Sequence, residues 1–325
     1  MNYTIFGESH GPAIGVVITG LPSGLVLDME AVAAEMARRA PGKDPTATAR
    51  KETDAVQILS GVFEGRTTGT PLAAMIQNTD THSKDYSQLK DMPRPSHGDY
   101  AGSIRYSGCN DYRGGGHFSG RLTAPLVFAG AVAKQILREK GIEVRAHISM
   151  VGGVKDPTQA QFDEIVLAAK AEGDSVGGSI ACAVTGIPAG FGAPDLGENA
   201  EGIFAKHLFA VPAVKGLSFG AGFGFASMRG SQANDPFYMD GDTVKTRTNH
   251  AGGINGGITN GMPITFEVAI RPTPSIPREQ DTVSLSRRQD EKLIIHGRHD
   301  PCILRRALPV IEAAAALAAL ELLKI

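Results

Sequence analysis

"TAPLVFAGAVAKQILREKG", residues Thr123 to Gly141, is apolar on nearly every side until Lys134. A helix lying on a surface keeps one polar face, and a helix without one is enclosed. The segment therefore predicts a helix buried on most sides and ended at Gly141. A second apolar helix is expected over Ala307–Ile325. It carries Glu312 and Glu321, so it reads as a core helix and not a membrane span.

Working outward, "LDMEAVAAEMARRAPG" reads as a helix capped by Asp28, with Met29, Val32, Ala33 and Met36 in one stripe and Pro41-Gly42 as its stop. Arg38 and Arg39 fall in its last turn, where cations complement the helix dipole. "AQFDEIVLAAKAEG" and "AEGIFAKHLF" are further helices, while "IEVRAHISM", "GSIACAVTGI" and "PITFEVAIRP" alternate as strands. No regular βαβ ladder appears. The expected class is α+β, with a buried helical layer between antiparallel sheets. The elements run in a loosely similar order in the two halves, which points to an internal duplication. Gln77–Gly120 and Ser227–Gly261 read as long irregular stretches, the kind that carry function.

The chain has 325 residues with a net charge of −2, which argues against a nucleic-acid binder relying on a basic excess. Forty glycines, scattered in short clusters, imply many tight turns and close backbone approaches. Cys109, Cys182 and Cys302 are too far apart for metal spacing and leave no even disulfide framework, as expected of reduced thiols in a cytoplasm. "MNYTIFGESHGPAIG" has no basic segment leading into an apolar one, so no signal peptide is expected.

Four stretches set polar chemistry in glycine-rich backbone. "GESHG" (Gly7–Gly11) presents His10, a side chain suited to proton transfer near neutral pH. "RPSHGDY" (Arg94–Tyr100) gathers Arg, His and Asp within six residues. "DYRGGGHFSGR" (Asp111–Arg121) runs into the first buried helix; its glycines, serine and helix start suit an anion, and Arg113 and Arg121 add charge. "NHAGGINGG" (Asn249–Gly257), followed after a strand by "RPTPS" (Arg271–Ser275), is bare enough to lie flat against a ligand. "GAGFGF" (Gly220–Phe225) lacks dinucleotide spacing, and neither a Walker lysine motif nor a zinc pattern occurs. Arg298, His299, Asp300, Arg305 and Arg306 crowd the start of the last helix. Two buried helices thus have polar entrances, consistent with one shared cleft and an enzyme acting on phosphorylated or polycarboxylate ligands.

Together and in order, "GESHGPAIGVVITGLPSG", "RPSHGDY", "DYRGGGHFSGRLTAP", "NHAGGINGGITNG" and "GRHDPCILRRALPVIEA" resemble the chorismate synthases, from about residue 5 to the C-terminus. The resemblance implies one domain over 1–325, a β-α-β sandwich with internal pseudo-symmetry, and a homotetramer. It implies anti-1,4-elimination of phosphate from 5-enolpyruvylshikimate 3-phosphate to give chorismate, with reduced FMN and no net redox change. Carried onto this chain, His10 protonates the departing phosphate, His97 sits by flavin N1, and Asp300 lies near N5 and assists proton removal. Ser9, Arg39, Arg94, Arg121 and Arg298 bind substrate. His117, Phe118, Ser119, Ala213, Gly256, the segment Arg271, Pro272, Thr273, Pro274 and Ser275, and Arg298 contact FMN.

Three positions depart from the family pattern. Pro45, flanked by Lys43 and Arg50, stands near a customary arginine, His117 replaces an arginine ("HFSGR" for "RSSAR"), and "RPTPS" replaces "KPTSS". A flavoprotein with net redox chemistry on an anionic substrate is the main rival reading, distinguished by NADPH oxidation. A separate flavin reductase is the partner required if the chain cannot reduce its own FMN. A non-enzymatic anion or nucleic-acid binder has little support from 6% aromatic residues.

Overall fold

The computed structural model describes residues 1–40, 54–79, 88–295 and 299–325. Lys43, Pro45, Arg50, Arg298 and the Pro41-Gly42 stop lie outside them.

Strand alternation builds two antiparallel sheets. In the N-terminal sheet the strands Asn2–Gly7, Ala13–Thr19, Leu72–Gln77 and Val56–Ser60 stand side by side in that order. Ile14, Val16 and Ile18, with Leu72, Ala74 and Ile76, turn every second side chain into the core. In the C-terminal sheet the order is Val214–Phe219, Ile264–Ile270, Gly178–Thr185, Glu143–Val151 and the short Val154–Lys155. There Ile180, Cys182 and Val184 face Ile264, Phe266 and Val268 on the buried side.

Between the sheets lie Thr123–Glu139 and Leu304–Leu322, flanked by Met29–Arg39 and Ala200–Phe209. The predicted helical layer is therefore present. Thr123–Glu139 is buried from Ala124 through Ala133, and Lys134 is the first side chain after that to reach water. The two central helices cross at Gly130, where a Cβ would stand 2.2 Å from the Cβ of Ala313. Only a glycine lets the backbones come this close.

The suspected duplication is topological. Leaving out the short Val154–Lys155, and counting the other sheet strands along the chain, the order in each half is first, second, fourth, third. A helix joins the second strand to the third, and a long buried helix follows the fourth.

Several expectations need correction. The "irregular" Gln77–Gly120 contains a helix, Asp99–Arg105, which the glycine and proline punctuation concealed. Ser227–Gly261 folds into two hairpins, Phe237–Asp240 with Thr243–Thr246 and Ile254–Asn255 with Ile258–Thr259. The Asp235 carboxylate fastens this region by accepting from Thr248 Oγ1 and from the backbone N–H of His250 and Ala251 at 2.6–2.9 Å. The last helix begins at Leu304, one turn early, and holds Pro309 inside it. A further hairpin, Glu279–Ser284 with Gln289–Ile294, gives Leu293 to a small core with Leu89 and Ile295. Among the described residues no helix is long and apolar enough to cross a membrane. The cysteines are free thiols; Cys182 and Cys302 are buried, and burial pushes the Cys302 thiol up to about 11.

Candidate active site

The site begins where Met29–Arg39 ends. Adjacent arginines in a last helical turn point in different directions, since successive residues are about 100° apart. Arg38 turns to Glu312 of the last helix, with N–O distances of 2.6 and 3.0 Å. Arg39 turns inward and is only 3% exposed, so it is no solvated dipole partner. Its Nε donates to Thr123 Oγ1 at 3.1 Å, one Nη to the Gly120 carbonyl at 3.3 Å, and the other to Asp54. Its own carbonyl accepts from Arg306 Nε at 3.0 Å, and Arg306 pairs with Asp300. Arg39 therefore joins the entrances of both buried helices.

Arg121 reaches the same point from the other side. It pairs with the second oxygen of Asp54 and donates through Nε to Asn78 Oδ1 at 3.3 Å. Asn78 in turn donates to the carbonyls of Glu8 and Gly11, both at 2.9 Å, which fixes the "GESHG" turn. Three guanidiniums (Arg39, Arg121, Arg306) thus meet two carboxylates (Asp54, Asp300). Burial pushes the Arg39 guanidinium down to about 10, with Arg306 and Arg121 acting in the same direction and Asp54 opposing. It remains cationic at neutral pH.

The glycine turn links this cluster to the histidines. Gly114 and Gly115 have φ of +58° and +84°. A Cβ on Gly114 would stand 2.0 Å from the His10 ring, and one on Gly115 would stand 3.1 Å from the ring of His97. One stretch of bare backbone therefore touches both proton-transfer candidates. Ser9 is buried beside His10, and its N–H donates to the Gly116 carbonyl at 3.2 Å. The Glu8 carboxyl is pushed up, chiefly by burial, and its Oε2 is buried with no hydrogen-bond partner among the described residues.

His97 Nδ1 lies 2.6 Å from Asp99 Oδ1 and 3.0 Å from Arg94 Nη2. Arg94 grips Asp99 through Nε and Nη2 at 2.7 and 2.8 Å and donates to Ser275 Oγ at 3.2 Å. Burial alone would raise the Asp99 carboxyl, but the hydrogen bonds from Arg94 and His97 outweigh it and hold the group well below the usual carboxylate range. Through these contacts Arg94 holds Asp99, His97 and Ser275 together. Arg271 donates to the Ser96 carbonyl, which lays the Arg271–Ser275 segment along this loop, and Thr273 Oγ1 is buried without a partner among the described residues.

The remaining expected residues are placed differently. His117 is exposed, with Nδ1 2.8 Å from the Gly7 carbonyl. Phe118 packs on Gly98, which precedes the Asp99–Arg105 helix, and on Gly102 within it, and Ser119 Oγ caps the turn by accepting from the Arg121 N–H at 3.3 Å. Ala213 takes a left-handed φ of 74° and its carbonyl accepts from the Arg271 N–H. Arg113 folds onto Asp111 at 2.8 Å, 43% exposed, and adds no charge to the arginine cluster. Gly256 is at a hairpin tip, where a Cβ would meet nothing within 4 Å among the described residues, while one on the neighbouring Gly257 would crowd Ala193 and Asn199. Asp54 and Asn78 were not singled out by sequence as members of the site, whereas Asp99 lay inside "RPSHGDY" and Arg306 in the charged cluster before the last helix.

The model of the family described as chorismate synthase matches residues 1–323. A chorismate synthase of Thermococcus kodakarensis is 46% identical, covering 97% of this chain and 94% of its own. One from Chitinophaga pinensis is 47% identical, covering 97% and 92%. A crystal structure of chorismate synthase superposes with a TM-score of 0.77 at 26% identity, over 99% of this chain and 91% of that one.

Proposed function

The chain belongs to the chorismate synthase family, and from that premise we propose that it converts 5-enolpyruvylshikimate 3-phosphate to chorismate and phosphate by anti-1,4-elimination, with reduced FMN and no net redox change. One observation supports this most: a continuous network, buried at Arg39, Asp54 and Arg121, runs from Asp300–Arg306 through these and Asn78 to the "GESHG" turn, and the glycine turn continues it to His97. It offers excess positive charge for a substrate with one phosphate and two carboxylates. It also sets two imidazoles against one wall.

His10, held by Gly114, donates a proton to the departing phosphate oxygen. Arg39 and Arg121 meet the anionic groups, and Arg298 joins them. Asp300, oriented by Arg306, takes part in removing the proton from the ring carbon. The residues suit a phosphate-bearing flavin: Thr273 Oγ1 is an unpaired buried donor, and Arg271 and Ser275 line the same loop as His97. FMN would be held by these, with His117, Phe118, Ser119, Ala213 and Gly256, and His97 would hold a proton at the flavin N1 side. The reduced flavin supplies electron density transiently to the substrate. A homotetramer in the cytoplasm is part of the proposal.

The test is an anaerobic assay with substrate and FMN, reduced by dithionite or, separately, by NADPH, following chorismate absorbance. Chorismate with dithionite alone supports a synthase served by a separate flavin reductase; chorismate with NADPH alone adds an intrinsic reductase. NADPH oxidation without chorismate would replace this reading with net redox chemistry.

A further inference from the structure

A short connector, residues 173–177, joins the helix Gln159–Ala171 to the strand Gly178–Thr185 and lies along residues 270–278. At Gly177 the two backbones come so close that a Cβ would stand 2.5 Å from the Ile270 carbonyl oxygen. Ser175 Oγ donates to the Thr273 carbonyl at 2.7 Å, and Asp174 pairs with Arg278 at 2.8 Å. On its other side the connector meets the entrance of the last helix, where the Val176 N–H donates at 2.8 Å to the carbonyl of Pro301, the neighbour of Asp300. It is a spacer between that entrance and the Arg271–Ser275 segment.

The segment has few means of its own to hold Thr273. Pro272 and Pro274, on either side of it, carry no N–H. The ends are tied, Arg271 to Ser96 and Ala213, and Ser275 to Arg94. The middle is tied by Ser175, through the Thr273 carbonyl. Thr273 Oγ1 is buried with no partner among the described residues, and a buried hydroxyl without one is costly until a ligand supplies it.

We propose that Ser175 is a positioning residue for the cofactor: by holding the Thr273 carbonyl it keeps Thr273 Oγ1 presented to the flavin phosphate. This rests on the reading of Arg271–Ser275 as a flavin-holding segment. The carbonyl and Oγ1 belong to one residue between two prolines, whose rings restrict the backbone, so fixing the first fixes the second. A donor already in place when the anion arrives leaves no loop to be ordered on binding. Ser175 acts through Thr273, and its loss is felt by the part of the ligand that Thr273 meets.

The probes are FMN and riboflavin, which differ only in the phosphate, titrated calorimetrically into the full-length protein. The wild type is expected to prefer FMN. Ser175→Ala is expected to weaken FMN about tenfold and to leave riboflavin within about twofold. Ser175→Thr, which keeps a hydroxyl, should hold FMN within about threefold of the wild type. Thr273→Val should weaken FMN at least as much as Ser175→Ala, and adding Ser175→Ala to it should change affinity by no more than about twofold, because a residue that acts through another then has nothing to position. Equal weakening of both flavins, multiplied losses in the double variant, unchanged FMN affinity in Ser175→Ala or a wild type without preference for FMN each overturns the proposal. If Ser175→Ala does not fold, Ser175→Cys, close in volume and a weak donor, carries the same test with the same outcomes. These readouts need no turnover. A missing chorismate signal with FMN preference lost in Ser175→Ala defeats only the proposed reaction, and turnover with that preference intact in Ser175→Ala defeats only this inference.

Discussion

The two halves share one topology and use its equivalent corners for different ends. Met29–Arg39 in the first half and Ala200–Phe209 in the second each join the second strand to the third, and each carries two adjacent basic residues in its last turn. In the second half both turn to the final helix: Lys206 and His207 pair with Glu321, and His207 Nδ1 lies 3.3 Å from Tyr3 Oη. That corner is closed. In the first half the pair divides. Arg38 takes Glu312, while Arg39 is released into the interior to meet Asp54, Thr123 and Arg306. The lesson is that the candidate site lies where one of two adjacent cations is freed from the anchoring that its counterpart in the other half keeps.

The largest test of this contrast is Glu312→Ala. Glu312 is 4% exposed and receives Arg38, Lys134 at 2.6 Å and the Ala146 N–H at 3.0 Å. Its loss leaves Lys134 with Glu35 alone, at 2.9 Å, and removes the acceptor of the Ala146 N–H, and denaturant melts should show about 3 kcal/mol of destabilisation. Equal stability would mean that the first corner is not anchored as described. Gly114→Ala attacks the released side: the new Cβ collides with the His10 ring at a left-handed backbone position. Displacing a catalytic group by about 1 Å costs on the order of a hundredfold in kcat. Steady-state rates within threefold of wild type would remove His10 from the site. Gly130→Ala presses the halves apart at their helix crossing, and overpacking there should cost about 1–3 kcal/mol in the same melts with KM unchanged.

The smallest effect sharpens the closed corner. Burial lowers the His207 pKa below its ordinary 6.5, against the pull of Glu321. The unfolded chain therefore binds this proton more readily than the folded one. The associated stability is fully present above 6.5 and falls as acid protonates the ring. Glu321, held below its ordinary 4.5 because hydrogen bonds from Lys206 and His207 outweigh burial, adds a second loss at lower pH. His207→Asn should flatten the first decline in a series of thermal melts from pH 7 to pH 5. An unchanged slope would assign that decline to other groups.

Much of this was legible in the chain. Thr123–Glu139 was recognisable because enclosure on both sides leaves a helix with no polar face, and Ile264–Ile270 because pleating alternates its side chains. The glycine turn and both histidines were visible because bare backbone beside a titratable ring is uncommon. Asp54 was not, since it is an ordinary acid until two arginines converge on it. Arg113 and Arg121 looked alike in sequence; one folds back on Asp111 and the other is buried on Asp54. The helix Asp99–Arg105 was hidden because it takes its stability from Phe118 packing on Gly98 and Gly102, a contact made from outside the segment.

The sequence by itself determined the helical layer, three strands of the C-terminal sheet, the family and the polar character of both helix entrances. All of these follow from periodicity and local chemistry, which are written within a few turns of the chain. The tertiary structure alone decided which charges meet. Arg39 finds Asp54, Thr123 and Arg306, and Arg94 finds Ser275 across 181 positions, because the packing of two halves at Gly130 and Ala313 brings distant residues into one desolvated volume. A charge in such a volume must be paired, and the partner is whatever the fold delivers there.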